Sequence, residues 1–164
     1  MAELHVKLSN MTQLHIKDFT EFKGLVATKL PAGAWLTITQ EMINDFAKAT
    51  QDFQWVHVDL EKIKKHSPFK KPIAHGFMSV SLLSKLLTDL ITVDSATMGV
   101  NYGLNKVRFP NPILVDSQIR LHTIISTIEA YGDNGLKITW NCSVEIKGVE
   151  KPACVAEFIS LMFE

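Results

Sequence analysis

Apolar and polar positions alternate without a fault along "KITWNCSVEI", residues 137–146. Ile138, Trp140, Cys142, Val144 and Ile146 therefore fall on one face, with Lys137, Thr139, Asn141, Ser143 and Glu145 on the other. Period two marks a strand with one face in a core. "SQIRLHTIIST" before it and "ACVAEFISLMF" after it share the pattern, and the links "YGDNG" and "KGVEKP" are good hairpin turns, so the three form an antiparallel meander. In "TMGVNYGLNKVRF" the apolar residues hold even positions at Met98, Val100, Tyr102 and Leu104, then odd positions at Val107 and Phe109. That change of phase near Asn105 predicts a bulge in a fourth strand. "AWLTI", ending at Ile38, alternates as a fifth.

Helical spacing occupies the segments between. Asp18 is placed to cap a short helix with Phe19, Phe22, Leu25 and Val26 on one face. Thr39 is an N-cap for "QEMINDFAKAT", where Ile43, Phe46, Ala47 and Thr50 follow one another at helical intervals and the helix ends near Thr50. From Ile73 to about Ile91 the chain is apolar nearly all round, through Phe77, Met78, Val80, Leu82, Leu83, Leu86, Leu87 and Leu90, which predicts one long buried helix. Between these two helices, Gln51 to Lys71 shows no period. A connection of that length is functional or disordered, and Phe53, Trp55, Val56, Leu60, Ile63 and Phe69 favour an ordered one. The sum is an α+β domain spanning 1–164, an antiparallel sheet of about five strands around a central helix.

Composition narrows the possible partners. The 164 residues carry 17 basic and 17 acidic side chains, so no broad field draws in nucleic acid or an anionic membrane. "MAELHVKLSN" lacks the apolar run of a secretory signal, and Ser79, Ser81, Ser84, Lys85 and Asp89 interrupt the most apolar segment, so a cytosolic protein without a membrane span is expected. In that setting Cys142 and Cys154 are reduced thiols packed as small hydrophobes, and the glycosylation triplets "NMT" and "NCS" are chance. No Gly-rich phosphate loop and no G-x-S-x-G turn occurs.

The chemistry concentrates in "TQDFQWVHVD" and "PIAHGFMSV". Asp52 falls at the C-terminus of the 40–50 helix, where the dipole disfavours a carboxylate, and water excluded by Phe53 and Trp55 would make it a stronger proton acceptor. His57, five residues on in an extended or turn segment, lies near enough to share one water with it, a minimal general-base pair. Gly76 opens the next helix, where free N–H groups hold developing negative charge and no side chain blocks a carbonyl. Together they point to chemistry at a polarised carbonyl or at an alkene conjugated to one. Each residue also has a plainer role: Asp52 as a cap or solvated loop residue, His75 as a cap or packing group at the helix start, Asp59 as the N-cap of "LEKIKKH". "EKIKKH" with Lys70 and Lys71 reads as a solvated face that could meet phosphates, and His66 and His122 as surface histidines. Asp52, His57, Asp59 and His75 are also an N/O donor set for a metal, although their spacing matches no metal motif.

Three segments, "FAKATQDFQWVHVD", "SPFKKPIAHGFMSVSLL" and "NYGLNKVRFPNPI", resemble the MaoC-like hydratases of the hot-dog fold, in particular their NodN-like branch. The resemblance runs from about Trp35 to Phe163. It implies (R)-specific hydration of a trans-2-enoyl-CoA to the (R)-3-hydroxyacyl-CoA, with Asp52 and His57 activating water, Asp52 protonating C2 and the Gly76 N–H polarising the thioester carbonyl. It implies no metal or redox cofactor. By the same resemblance the acyl-CoA phosphates would meet Lys70 or Lys71, while Ser84 and Leu87 would line the acyl pocket. A homodimer with sites near its interface is also implied. The chain departs from the family's Asp-x-Asn-Pro-x-His at Gln54-Trp55, where Trp55 would narrow the acyl pocket, and Lys70-Lys71-Pro72 replaces the glycines common before Ala-His-Gly. Two other functions use the same fold: an acyl-CoA thioesterase, and a non-catalytic subunit that binds acyl thioesters.

Overall fold

The computed structural model describes residues 13–164. The opening segment and the "NMT" triplet lie outside them. In chain order the elements are β1 (Leu14–Ile16), α1 (Phe19–Lys23), β2 (Leu36–Thr37), α2 (Gln40–Thr50), α3 (Trp55–Val58), α4 (Leu60–His66), α5 (Gly76–Ser81), α6 (Leu83–Leu90), β3 (Ile91–Val93), β4 (Met98–Arg108), β5 (Gln118–Tyr131), β6 (Gly135–Ile146) and β7 (Cys154–Phe163). Five strands make one antiparallel sheet in the order β2-β5-β6-β7-β4, while β1 and β3 pair in parallel as a small separate sheet.

The meander forms as its alternation requires. Every apolar residue on the expected face of β6 is buried, and the indole of Trp140 donates to the Ser160 hydroxyl at 2.8 Å, which satisfies its one polar atom. The pairing of β4 with β7 skips a residue between Leu104 and Lys106, so Asn105 is the extra residue that the phase change predicts, and a second irregularity falls at Tyr102. The "AWLTI" strand is shorter than expected, since only Leu36 and Thr37 pair with β5.

Asp18, Thr39 and Asp59 each accept a backbone N–H as helix N-caps, at Glu21, Met42 and Lys62 respectively. The first helix stops at Lys23, however, and Val26 lies beyond it on the surface. The segment without a period holds α4, which the Asp59 cap of "LEKIKKH" implies, and also α3, which no pattern announces. A single turn such as α3 leaves no periodic signature, and long-range bonds hold it: Gln40 Nε2 donates to the His57 carbonyl at 2.9 Å, and the Ile73 N–H to the Val56 carbonyl at 3.2 Å.

The long helix begins at Gly76 rather than Ile73, because Ala74 donates to Ile113 and Val115 to Pro72, pairing that stretch with the 113–115 segment instead. It is divided at Leu82 into α5 and α6, though Leu82 keeps helical φ and ψ of −76° and −13°. Ser79 and Ser81 turn their hydroxyls back onto the Gly76 and Phe77 carbonyls, the kind of competition that bends helices. Leu83, Leu86, Leu87 and Leu90 enter the core beneath the sheet. Contrary to the expectation of burial on most sides, Phe77, Ser81, Lys85 and Asp89 form an exposed stripe at intervals of four, because the sheet covers only one side of the helix. Among the described residues no helix is long and apolar enough to cross a membrane.

Candidate active site

A cavity of about 560 Å³ opens where α2 ends, α3 begins and α5 starts, and Asp52, His57, His75, Gly76, Phe77 and Phe109 are among its walls. Asp52 follows Gln51, whose left-handed φ of 60° ends α2 and turns the chain toward α5. One Asp52 carboxylate oxygen accepts the Gln54 N–H at 3.3 Å. Phe53 is exposed and the Asp52 side chain is 55% exposed, so the aromatic neighbours do not exclude water from the carboxylate as the sequence suggested.

His57 is the reverse case. It sits on α3 rather than in an extended segment, it is buried, and its Nδ1 lies 2.6 Å from the Ile73 carbonyl oxygen. A carbonyl only accepts, so Nδ1 carries the proton and Nε2 is left with a lone pair. Burial holds His57 below the ordinary histidine value of 6.5 and the nearby His75 adds to the fall, against the opposing pull of the Ile73 carbonyl and the Asp52 carboxylate. Burial thus favours the neutral form of the His57 ring.

His75 is a member of the cluster that the sequence reading left as a cap or packing group. It makes no side-chain cap bond; its ring stacks on that of His57 with centroids 3.7 Å apart, and its Nε2 donates to the Asp52 backbone carbonyl at 3.0 Å. No local signal marks this role, since its partners lie 18 and 23 residues away along the chain. Potential ligand atoms of Asp52, His57 and His75 all lie within 4.8 Å of one another. One water can bridge a carboxylate and an imidazole over that span. A metal is a poorer fit, because it sits in the plane of each imidazole along the lone pair, and two rings stacked at 26° do not aim their lone pairs at one point. Asp59, capping α4, takes no part.

Gly76 is the first residue of α5, so its N–H has no acceptor within the helix. It also has a packing reason to be glycine: a Cβ there would stand 2.9 Å from the Phe109 ring, which leans over the helix start and meets Phe77 edge to face. The structure thus brings Asp52, His57 and Gly76 to one cavity. It places the other five candidates elsewhere. Trp55 is half-buried beside Lys62, Lys70 reaches the Lys64 carbonyl, and Lys71 is exposed. Ser84 and Leu87 border a separate pocket of about 160 Å³ between α6 and the sheet, where the Ser84 hydroxyl donates to Asn101 Oδ1 at 2.8 Å.

The family described as MaoC like domain matches residues 21–141. The chain belongs to the MaoC-like family. It is 46% identical over 143 residues to the 3-hydroxyacyl-thioester dehydratase Z of Mycobacterium tuberculosis, covering 87% of this chain and 94% of that one. To Nodulation protein N of Rhizobium meliloti it is 36% identical over 149 residues, 90% of this chain and 92% of that one. Among solved structures, the R-hydratase PhaJ1 from Pseudomonas aeruginosa superposes with a TM-score of 0.68 at 19% identity, over 93% of this chain and 88% of that one. That likeness shows the fold, and the MaoC-like chain adopts the hot-dog arrangement, as the family resemblance implied.

Proposed function

We propose that this MaoC-like protein is a hydro-lyase that adds water to trans-2-enoyl-CoA to give (R)-3-hydroxyacyl-CoA, and runs the reverse dehydration. The observation that carries the reading is the meeting of an exposed carboxylate and a buried imidazole in one cavity whose wall includes the Gly76 amide. In the forward direction one water lies between the Asp52 carboxylate and His57 Nε2. Its O–H bond breaks as its oxygen bonds to C3, and the electrons of the C2–C3 double bond move toward the thioester oxygen. The Gly76 N–H stabilises that developing charge. The proton accepted at the dyad is returned to C2 by Asp52, so atoms and charge balance. The naming of two relatives as a thioester dehydratase and an R-hydratase supports this class of reaction.

Substrate contacts are part of the same proposal. Lys70 and Lys71 stand in the segment leading to the cavity and are candidates for the CoA phosphates, and Trp55 is a further candidate for substrate contact. Ser84 and Leu87 are candidates for acyl-chain contact through the smaller pocket. The strand β4 ends the sheet with Met98, Val100, Tyr102 and Leu104 exposed, an apolar edge that a second copy would cover, which supports a homodimer. Hydration measured as loss of enoyl-thioester absorbance across acyl-CoAs of increasing length, with chiral analysis of the product, tests the reading. Consumption of crotonyl-CoA with (R) product is expected. Release of free thiol in place of hydration, or binding without turnover, contradicts it.

A further inference from the structure

We propose that His75 is a positioning residue for the Asp52–His57 pair, tying the loop that carries the carboxylate to the ring that carries the base. This rests on the hydratase reading of the same site. The geometry is unusual for a packing residue. His75 is 4% exposed, and its Nδ1 is buried with no hydrogen-bond partner among the described residues, an arrangement that a leucine or phenylalanine of similar size would avoid. What the imidazole provides in return is contact with both members of the pair. Its Nε2–H holds the Asp52 carbonyl at 3.0 Å, fixing the backbone from which the carboxylate projects, while that carboxylate lies 3.9 Å from the same nitrogen. Its face lies 3.7 Å from the face of His57, and Phe46 packs against it at 5.1 Å, so the ring cannot swing aside.

His57 is thus clamped at its edge and on its face. Ile73 takes its Nδ1–H, His75 covers the ring, and Nε2 is the nitrogen left for chemistry. Asp52 and His75 are the titratable groups that face it. On the α2 side the contact is the Gln40 amide, which is neutral and reaches only its backbone carbonyl. Removing the His75 imidazole therefore acts on His57 in two ways, by freeing the ring and by lifting a contribution that holds its pKa down.

The test begins with the unmodified protein. Nitrogen-15 shifts of the imidazoles should report His75 as the Nε2–H tautomer and His57 as the Nδ1–H tautomer at neutral pH. A His75 protonated on Nδ1 alone overturns the proposal, since Nε2 could not then donate to Asp52. Kinetics on crotonyl-CoA follow. His75→Phe keeps a ring against His57 but loses the donor, and should lower kcat about 100-fold, the scale expected for a small misplacement of reacting groups, with KM changed far less. It should also move the acidic limb of the kcat/KM profile to higher pH. His75→Gln, whose amide N–H can reach the same carbonyl, should recover at least about tenfold of the lost kcat. Unchanged kcat in a folded His75→Phe, or no recovery with glutamine, overturns the assignment. A wild-type protein with no hydratase activity would end the functional reading alone, because the tautomer measurement decides the positioning geometry separately.

Discussion

Two histidine clusters occupy opposite settings in this protein, and their difference supports assigning the proposed chemistry to the inner one. His57 and His75 stack face to face in the interior, with backbone carbonyls and not counter-ions as their hydrogen-bond partners. His122 lies on the outer face of β5, where it and Arg120 converge on one Glu145 oxygen at 2.5 Å each, and Arg120 stacks over Trp35 at 4.3 Å. In the outer cluster Arg120 Nε and His122 Nε2 both point at one Glu145 carboxylate oxygen. In the inner cluster one proton is fixed by a carbonyl, and His57 lines a cavity. Surface ion pairing supports a structure; a buried imidazole with one nitrogen free is prepared to take a proton.

Breaking the inner cluster should have the largest effect. His57→Asn is expected to cut kcat by about 100-fold or more, the usual scale for losing a general base. In the unmodified protein kcat/KM should hold near neutral pH and fall only below 6.5, because protonation of His57 is displaced downward by burial. The stability linked to that lowered value has the same sign: it is complete above 6.5 and is lost as pH falls through the folded-state value. A limb at or above the ordinary histidine value would place the base elsewhere.

Next comes Gly76→Ala, whose new methyl meets the Phe109 ring at 2.9 Å. Overpacking of this kind costs about 1–3 kcal/mol, measurable by denaturant unfolding, and turnover should fall as the helix start shifts. Adding Phe109→Ala should restore part of the stability, and additive effects of the two changes would show that the ring is not the obstacle.

The outer cluster should respond least. Glu145→Gln is expected to lower stability by under about 1 kcal/mol and leave hydration untouched. Hydrogen bonds from Arg120 and then His122 hold the Glu145 carboxyl below its ordinary value of 4.5, so this contribution is present above 4.5 and disappears as acid protonates the group. A loss of turnover in Glu145→Gln would mean that the two clusters are coupled through the sheet.

Much of the sheet was legible because period-two patterns carry their own register. The face of β6, the extra residue at Asn105 and the caps at Asp18, Thr39 and Asp59 all follow from neighbours within a few residues. The site was legible as residue types, since Asp52, His57 and Gly76 do meet in one cavity. What the chain did not disclose depends on distant partners. The single turn of α3 is held by Gln40 and Ile73, the helix start is displaced by pairing with 113–115, and the stack of His75 on His57 has no local counterpart. The exposure of Asp52 has the same origin: proximity of Phe53 in sequence is not contact in space.

The central claim is that Asp52 and His57 activate one water opposite the Gly76 amide, and Asp52→Asn tests it most directly. The substitution keeps the size of the side chain and its bond from the Gln54 N–H while removing the charge and the proton it must return. Stopped assays on crotonyl-CoA, with chiral separation of the product, should show (R)-3-hydroxybutyryl-CoA from the unmodified protein and almost none from the folded variant. Hydration at an unchanged rate by Asp52→Asn would contradict the account.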